Sequence, residues 1–306
     1  MTASLTNALL VMAILAIGVY LVAIINRAWA NALGHSGAGN PFTAPFYSAA
    51  SLWVAPANTT EAPDAMAWHL APVLYLTLAA MGLALVPWSQ NLVPVDLTTG
   101  IVLWGALEPL ATVVIFLHGW SANAHLSMLG AYRYVSLGLS YLLVSMFVLI
   151  GVALPAESLQ FSAVVESQAG LWNVIRQPLG LPLFLLVGLG ISFWGPLNFA
   201  DSNDLAGGTS SESSGRARLV WQAGRAVMLV AFSAIGATAF LGGWLGPVLP
   251  GFVWMILKTM VVLAMALLLG QLIPRFSPDR FLTIAWVLLL PLAFVDLVWA
   301  GLEALP

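Results

Sequence analysis

The fold class this sequence predicts is an all-α integral membrane protein, a bundle of about eight transmembrane helices. Three observations predict it. Hydrophobic residues make up 61% of the 306-residue chain and charged residues 7%, against about 45–50% and about 25% in soluble domains. Eight apolar runs approach the length needed to cross the hydrocarbon layer, which is roughly 20 residues of helix. Arginines cluster in alternate connections between those runs, as retention of basic residues on the cytoplasmic side requires.

The runs follow in order. The first, 5–26, is long enough to span, and no A-x-A-type site closes it, so no cleavable signal is evident. Residues 27–67 are rich in aromatic and small residues and read as a segment packed on a surface or lying in the interface. Runs 68–87, 98–118 and 134–154 come next, then 181–197, which is the shortest. Residues 198–218 are Gly/Ser-rich and acidic and read as a flexible loop. Runs 219–242, 252–273 and 281–302 complete the set. Between the sixth and seventh, Gly242 and Gly243 allow a tight exit and Pro247 and Pro250 fix the turn. Trp244 and Trp254 suit the outer interface.

An even number of spans puts both termini on one side. Arg27, Arg133, Arg216, Arg218, Arg225, Arg275 and Arg280 then fall at one set of ends and Arg176 opposite. The expected placement is a multi-pass protein of the cell membrane (the inner or cytoplasmic membrane) with both termini outside. The chain reads as a single membrane domain, 1–306, with no visible internal repeat. A net charge of −3 does not point to nucleic acid, and the absence of cysteine excludes thiolate metal or iron–sulfur ligation by this chain. His118 and His125 flank a Gly-Trp pair while His35 and His69 are remote, so no metal site is expected. His118 reads as a hydrogen-bonded structural residue.

The ionisable residues inside runs carry the sharpest functional signal, because each costs a few kcal/mol on insertion scales. Glu108 lies midway along the third run and is followed by Pro109, which can open the backbone locally. It reads as a proton-carrying carboxylate, or as a carboxyl kept neutral or paired structurally. Asp296 lies nearer the outer end of the eighth run, where a structural or headgroup-reaching role fits better. Lys258 lies about one turn inside the seventh run and reads as a structural or coupling lysine, or as an interfacial anchor. Trp29, Phe42, Phe46, Tyr47 and Trp53 mark the interface more readily than an apolar tunnel.

Several ordered segments carry a resemblance. Gly119-Trp120-Ser121-Ala122-Asn123, Leu129-Gly130-Ala131-Tyr132-Arg133 and Ser140-Tyr141 are followed by Gln177-Pro178-Leu179-Gly180 and Glu212-Ser213-Ser214-Gly215. Then come Phe240-Leu241-Gly242-Gly243-Trp244, Lys258-Thr259, Pro274-Arg275, Asp279 and Leu288-Leu289-Leu290-Pro291-Leu292. This set resembles the H subunit of respiratory complex I, a family related to membrane-bound hydrogenase subunits. The resemblance implies eight transmembrane helices and cytoplasmic loops that help form a quinone chamber. It implies partners, too: peripheral-arm iron–sulfur and catalytic subunits, antiporter-like membrane subunits and the lipid bilayer. It implies no cofactor held by this chain alone, with quinone possible at the subunit interface. Arg27 and Arg133 match family arginines. Asp201, Asp204, Glu212, Arg216 and Arg218 of the loop, with Arg275 and Asp279, become candidates for quinone-loop or arm contacts. Positions where the family carries charge read Leu142, Ile191 and Trp194 here, so the family's buried carboxylate file is thinned. The expected function is a non-catalytic membrane-arm subunit of an ion-translocating redox complex, with proton coupling through Glu108. The alternatives are a structural adaptor that has lost these functions and, with only the eight spans in its favour, a free-standing transporter.

Overall fold

The computed structural model describes residues 2–34, 39–201 and 207–304. Every regular element among them is helical. The long helices are α1 (Thr2–Ala32), α3 (Ala65–Ala84), α4 (Gly100–Ser121), α5 (His125–Ala153), α9 (Gly215–Phe240), α10 (Gly251–Leu272) and α12 (Leu290–Glu303), the last continued from the short α11 (Pro278–Ile284) through a π-helical stretch, Ala285–Leu289. Shorter helices are α2 (Ala44–Val54), α6 (Phe161–Ser167), α7 (Asn173–Arg176) and α8 (Gly180–Ile191). Seven of these helical runs are long and apolar enough to cross a membrane.

The expected fifth span is corrected by the structure. Instead of 181–197, a helix of only 12 residues ends at Ile191. It rises ~18 Å, little more than half of the roughly 30 Å hydrocarbon thickness. Beyond it Phe193 takes φ 40° and Gly195 φ 57°, so the apolar sequence continues but the helix does not. A Cβ on Gly195 would come within 2.4 Å of the Gly270 Cα, which makes glycine obligatory where this strand of irregular backbone crosses α10.

The bundle is organised around α9. Of its most apolar stretch 89% is buried, against 17% for α1, so α9 is packed on all sides while α1 offers most of its surface to lipid or to other chains. Small residues make that possible, since between membrane helices close backbone approach takes the place of a hydrophobic driving force. On α9, Gly224 lies under the Tyr75 ring, where a Cβ would be 2.9 Å from Cδ1. On α3, Gly82 accommodates Trp104, where a Cβ would meet the indole at 2.4 Å. Ser233 and Thr238, fully buried on α9, return their hydroxyls to the carbonyls of Leu229 and Ala234 at 2.8 and 2.9 Å.

The helices alternate in direction, giving the molecule two distinct ends. One, the loop end, gathers residues 39–64, 193–201 and 207–214. The other, the turn end, holds the compact connections between α3 and α4, α5 and α8, and α9 and α10. The loop end is tied together by Asp64, whose carboxylate caps α3 by accepting the Ala67 N–H at 3.2 Å, and by its backbone N–H, which donates to the Ser121 carbonyl at 2.9 Å.

Candidate functional site: a polar seam behind a broken helix

A helix that stops at mid-depth leaves its last carbonyls without partners, and no water is there to receive them. The surrounding chain supplies donors instead. Ser192 returns its hydroxyl to the Gly188 carbonyl at 2.6 Å, and Trp194 N–H donates to Leu189 at 2.8 Å. Tyr75 of α3 donates to the Ile191 carbonyl at 2.8 Å, and Tyr134 of α5 to Gly190 at 3.3 Å. Arg225 of α9 donates to the Phe193 carbonyl at 2.6 Å and reaches Ser192 at 3.5 Å. The broken end of α8 is therefore a point where α3, α5 and α9 converge with polar groups.

Toward the loop end, this point opens on a cleft of about 290 Å³ lined by Asn198, Asp201, Ser210, Arg218, Gln222 and Arg225. Arg225 lies 3.7 Å from the Asp201 carboxylate and stacks over Phe193 and Trp194 at 4.2 and 5.1 Å. The other Asp201 oxygen accepts from Thr209 Oγ1 and Ser210 N–H, each at 3.1 Å. Arg133 pins the same loop from α5, donating to the carbonyls of Phe199 and Gly207 at 2.8 and 2.9 Å. The Gly/Ser-rich loop, expected to be flexible, is thus fastened at both described ends.

Toward mid-depth, the seam continues between α4 and α5. The Tyr141 ring packs on Gly190, where a Cβ would lie 3.1 Å from Cζ, and its hydroxyl and Thr112 both lie over Gly138. One turn on lies Glu108, 1% exposed. Ser145 donates to its Oε1 at 2.8 Å, while Oε2 has no partner, and no base stands within ion-pair distance among the described residues. The Trp104 indole N–H faces the same carboxyl, and the Tyr141 hydroxyl lies beside that of Tyr134. A buried carboxyl with one hydroxyl donor, an indole N–H nearby and no counter-charge can exchange a proton or hold a water molecule.

The other candidates fall into place around this seam. Lys258 is 4% exposed, and its charge is met within the chain. Its ammonium donates to the carbonyls of Gly243 and Leu245 at 2.9 and 2.7 Å and lies 4.5 Å from the Trp172 ring centre. Asp296, 2% exposed, does not reach for headgroups; its Oδ1 accepts the Leu179 N–H at the start of α8 at 3.2 Å. Arg27 donates to Ser48 Oγ at 2.9 Å and joins α1 to α2. Arg216 covers Trp53 at 4.6 Å, while Glu212 is half-buried on the loop, Arg275 is exposed before α11 and Asp279 is exposed in its first turn. Asp204 and His35 lie outside the described residues. Trp29 donates to the Ala264 carbonyl at 3.1 Å and belongs to the α1–α10 contact; Phe42, Phe46, Tyr47 and Trp53 are exposed. His118 corrects its expectation, because neither ring nitrogen has a partner and the ring is held by stacking on Trp221 at 3.8 Å. No group of three potential metal ligands occurs among the described residues.

The seam was only partly legible. Tyr75, Tyr134, Tyr141, Ser145 and Arg225 were missed as site residues, although Tyr134, Tyr141 and Ser145 recur at i, i+7 and i+11 on α5, facing Glu108 and Thr112 at i and i+4 on α4. That spacing is a polar stripe on each of two facing helices.

Bundle and seam together define a multi-pass membrane protein with a polar seam that runs from the Asp201 cleft at the loop end to Glu108 at mid-depth. A family model described as NADH dehydrogenase matches residues 5–301. The chain belongs to the NADH dehydrogenase family, and membership makes it a membrane-embedded chain of a multisubunit, complex I-like assembly.

Proposed function

We propose that the chain is an H-type membrane-arm subunit of a complex I-like, ion-translocating redox complex, and that it carries proton coupling on Glu108. In this reading the loop end is cytoplasmic, both termini are outside, and the loop end docks the peripheral arm through Arg27, Arg133, Arg216, Arg218 and the Asp201 loop. A quinone would approach at the subunit interface. The groove of about 400 Å³ between α1, α2 and α9, with Phe46 and Trp194 on its walls and Arg27 and Arg225 at its polar side, supports that placement. The electron carriers belong to partner subunits, so this chain has no redox step of its own. The divergence from the family's charged file belongs to the same reading: Ile191 and Leu142 leave the seam with hydroxyls and one carboxyl instead of several carboxylates.

The observation that carries the proposal is Glu108, buried between α4 and α5 with Oε1 on Ser145 and Oε2 open. The test is Glu108→Gln in the assembled complex, reconstituted in vesicles, with electron transfer and proton uptake followed together. The expected outcome is an intact complex in which proton uptake per electron falls at least tenfold. Unchanged uptake would remove Glu108 from the mechanism and favour the adaptor reading, in which the chain only joins the arm to its membrane partners.

A further inference from the structure

Apart from the polar seam, the α4–α5 pair carries a groove of about 920 Å³ toward the turn end. Ile101, Gly105, Ala106 and Pro109 form its α4 wall, and its α5 wall runs from Met146 to Ala153. The sequence accounts for the hollow. Gly105 and Ala106 offer little side chain to fill it, and Pro109 cannot donate to the Gly105 carbonyl as a continuing helix would. A Cβ on Gly105 would lie 3.3 Å from Met146 Cε, so the methionine reaches across to α4 and closes the inner end.

The groove is half as deep as a membrane. Ile101 to Pro109 covers ~12 Å of helix, and Thr98 ahead of it extends the hollow to about half of the roughly 30 Å hydrocarbon layer. Beyond it, Leu110 and Val113 of α4 and Leu139 and Leu143 of α5 stand exposed and form no part of its walls. A membrane-spanning helix of another chain needs a seat across the whole thickness. An acyl chain from one leaflet needs only this half.

Thr98, Glu157 and Ser158 line the mouth. Glu157 is exposed and held at φ 46°, with its N–H on the Leu154 carbonyl at 3.2 Å. The corner around it is fastened. Ile101 N–H donates to the Leu159 carbonyl at 2.9 Å, and Asp96 accepts from Gln160 and Ser162 at 2.7 and 3.1 Å. Asp96 is thereby supplied with donors, whereas Glu157 makes no ion pair among the described residues. No lysine, arginine or histidine lines the groove. A carboxylate in that position attracts an ammonium and repels an anionic headgroup, and the Thr98 and Ser158 hydroxyls are donors that a phosphate diester can accept.

We propose that this groove seats one phospholipid of the leaflet at the turn end. An acyl chain lies between α4 and α5, and an ammonium headgroup of the phosphatidylethanolamine class sits on Glu157. The site is separate from Glu108 and stands whether or not that residue carries protons.

The test uses the assembled complex in vesicles and a phosphatidylethanolamine with a photoreactive group near the end of one acyl chain. Illumination should attach it to the stretch around Gly105 and Met146, located by peptide mass spectrometry. Unlabelled phosphatidylethanolamine should compete, and phosphatidylglycerol should not. Glu157→Gln should lower the labelling to that of a phosphatidylglycerol probe. Ala106→Trp, at an exposed position, fills the floor and should abolish labelling of that stretch while the complex stays whole on a native gel. Equal labelling by the two probes, or labelling that survives both substitutions, would overturn the site and leave ordinary boundary lipid. A photoreactive residue at Ile150 supplies the other arm. In the assembled complex it should capture lipid; capture of a partner subunit would show that a protein segment holds the groove and would equally end the proposal.

Discussion

Lys258 and Glu108 are two buried ionisable residues on helices of the same apolar character, and they are treated in opposite ways. The lysine is surrounded by what an ammonium needs: two carbonyls within 2.9 Å and the faces of Trp172 and Trp254. Its charge closes the α9–α10 turn on the Gly243 and Leu245 carbonyls, where Gly242 and Gly243 both take positive φ. The glutamate receives one hydroxyl and no counter-charge. Since a buried charge persists only where it is satisfied or used, satisfaction separates the two roles. Lys258 is a fastening, and Glu108, without a comparable set of partners, is the residue on which we propose proton coupling.

Substitutions at four places break or sharpen that contrast, taken here in falling order of effect. Gly195→Ala would drive a Cβ into the Gly270 backbone and strain a residue at positive φ. The expected result is failure to assemble, read as loss of the complex on a native gel. Lys258→Met keeps the volume but strands two carbonyls. At ~1–3 kcal/mol for each buried group left unsatisfied, the thermal midpoint should fall clearly while the ratio of protons to electrons in the surviving complex holds. A changed ratio would make Lys258 part of the coupling and erase the distinction from Glu108. Tyr75→Phe removes the donor to the Ile191 carbonyl. Its cost is expected near 1 kcal/mol, measured as a modest drop in midpoint. Ser145→Ala withdraws the one hydroxyl on Glu108, and hydrogen bonds between membrane helices average about 0.6 kcal/mol. Stability should barely move, whereas the pH profile of proton uptake should shift; an unmoved profile would mean that Glu108 does not titrate during turnover.

The long spans were readable because twenty apolar residues have few alternatives in a chain this hydrophobic. The end of α8 was not, since Ser192, Phe193 and Trp194 look like more of the same helix. What stops the helix is tertiary: Arg225 and Tyr75 take carbonyls that a continuing helix would have used itself. Glu108 stood out as a lone carboxylate in an apolar run. Its partners did not, because tyrosine and serine carry no charge and pass for ordinary membrane residues until their helical phase is counted. Arg225 was read only as a marker of topology, although its guanidinium joins three separated parts of the chain.

The π-helical stretch Ala285–Leu289 has a consequence for how this chain tolerates length changes. A π-bulge holds one residue more than the α-helix it interrupts, and each residue turns a helix by about 100°. Residues on its two sides, Phe281 in the bundle at one end and Asp296 at the other, both face inward because that extra residue corrects the phase. Winding the same residues as one continuous α-helix would turn one end about 100° against the other and carry the Asp296 carboxyl toward the lipid. In this last helix, register is as much a part of the design as composition: a single residue deleted at 285–289 should close the bulge and leave both ends in phase, whereas one deleted between Leu290 and Asp296 should not.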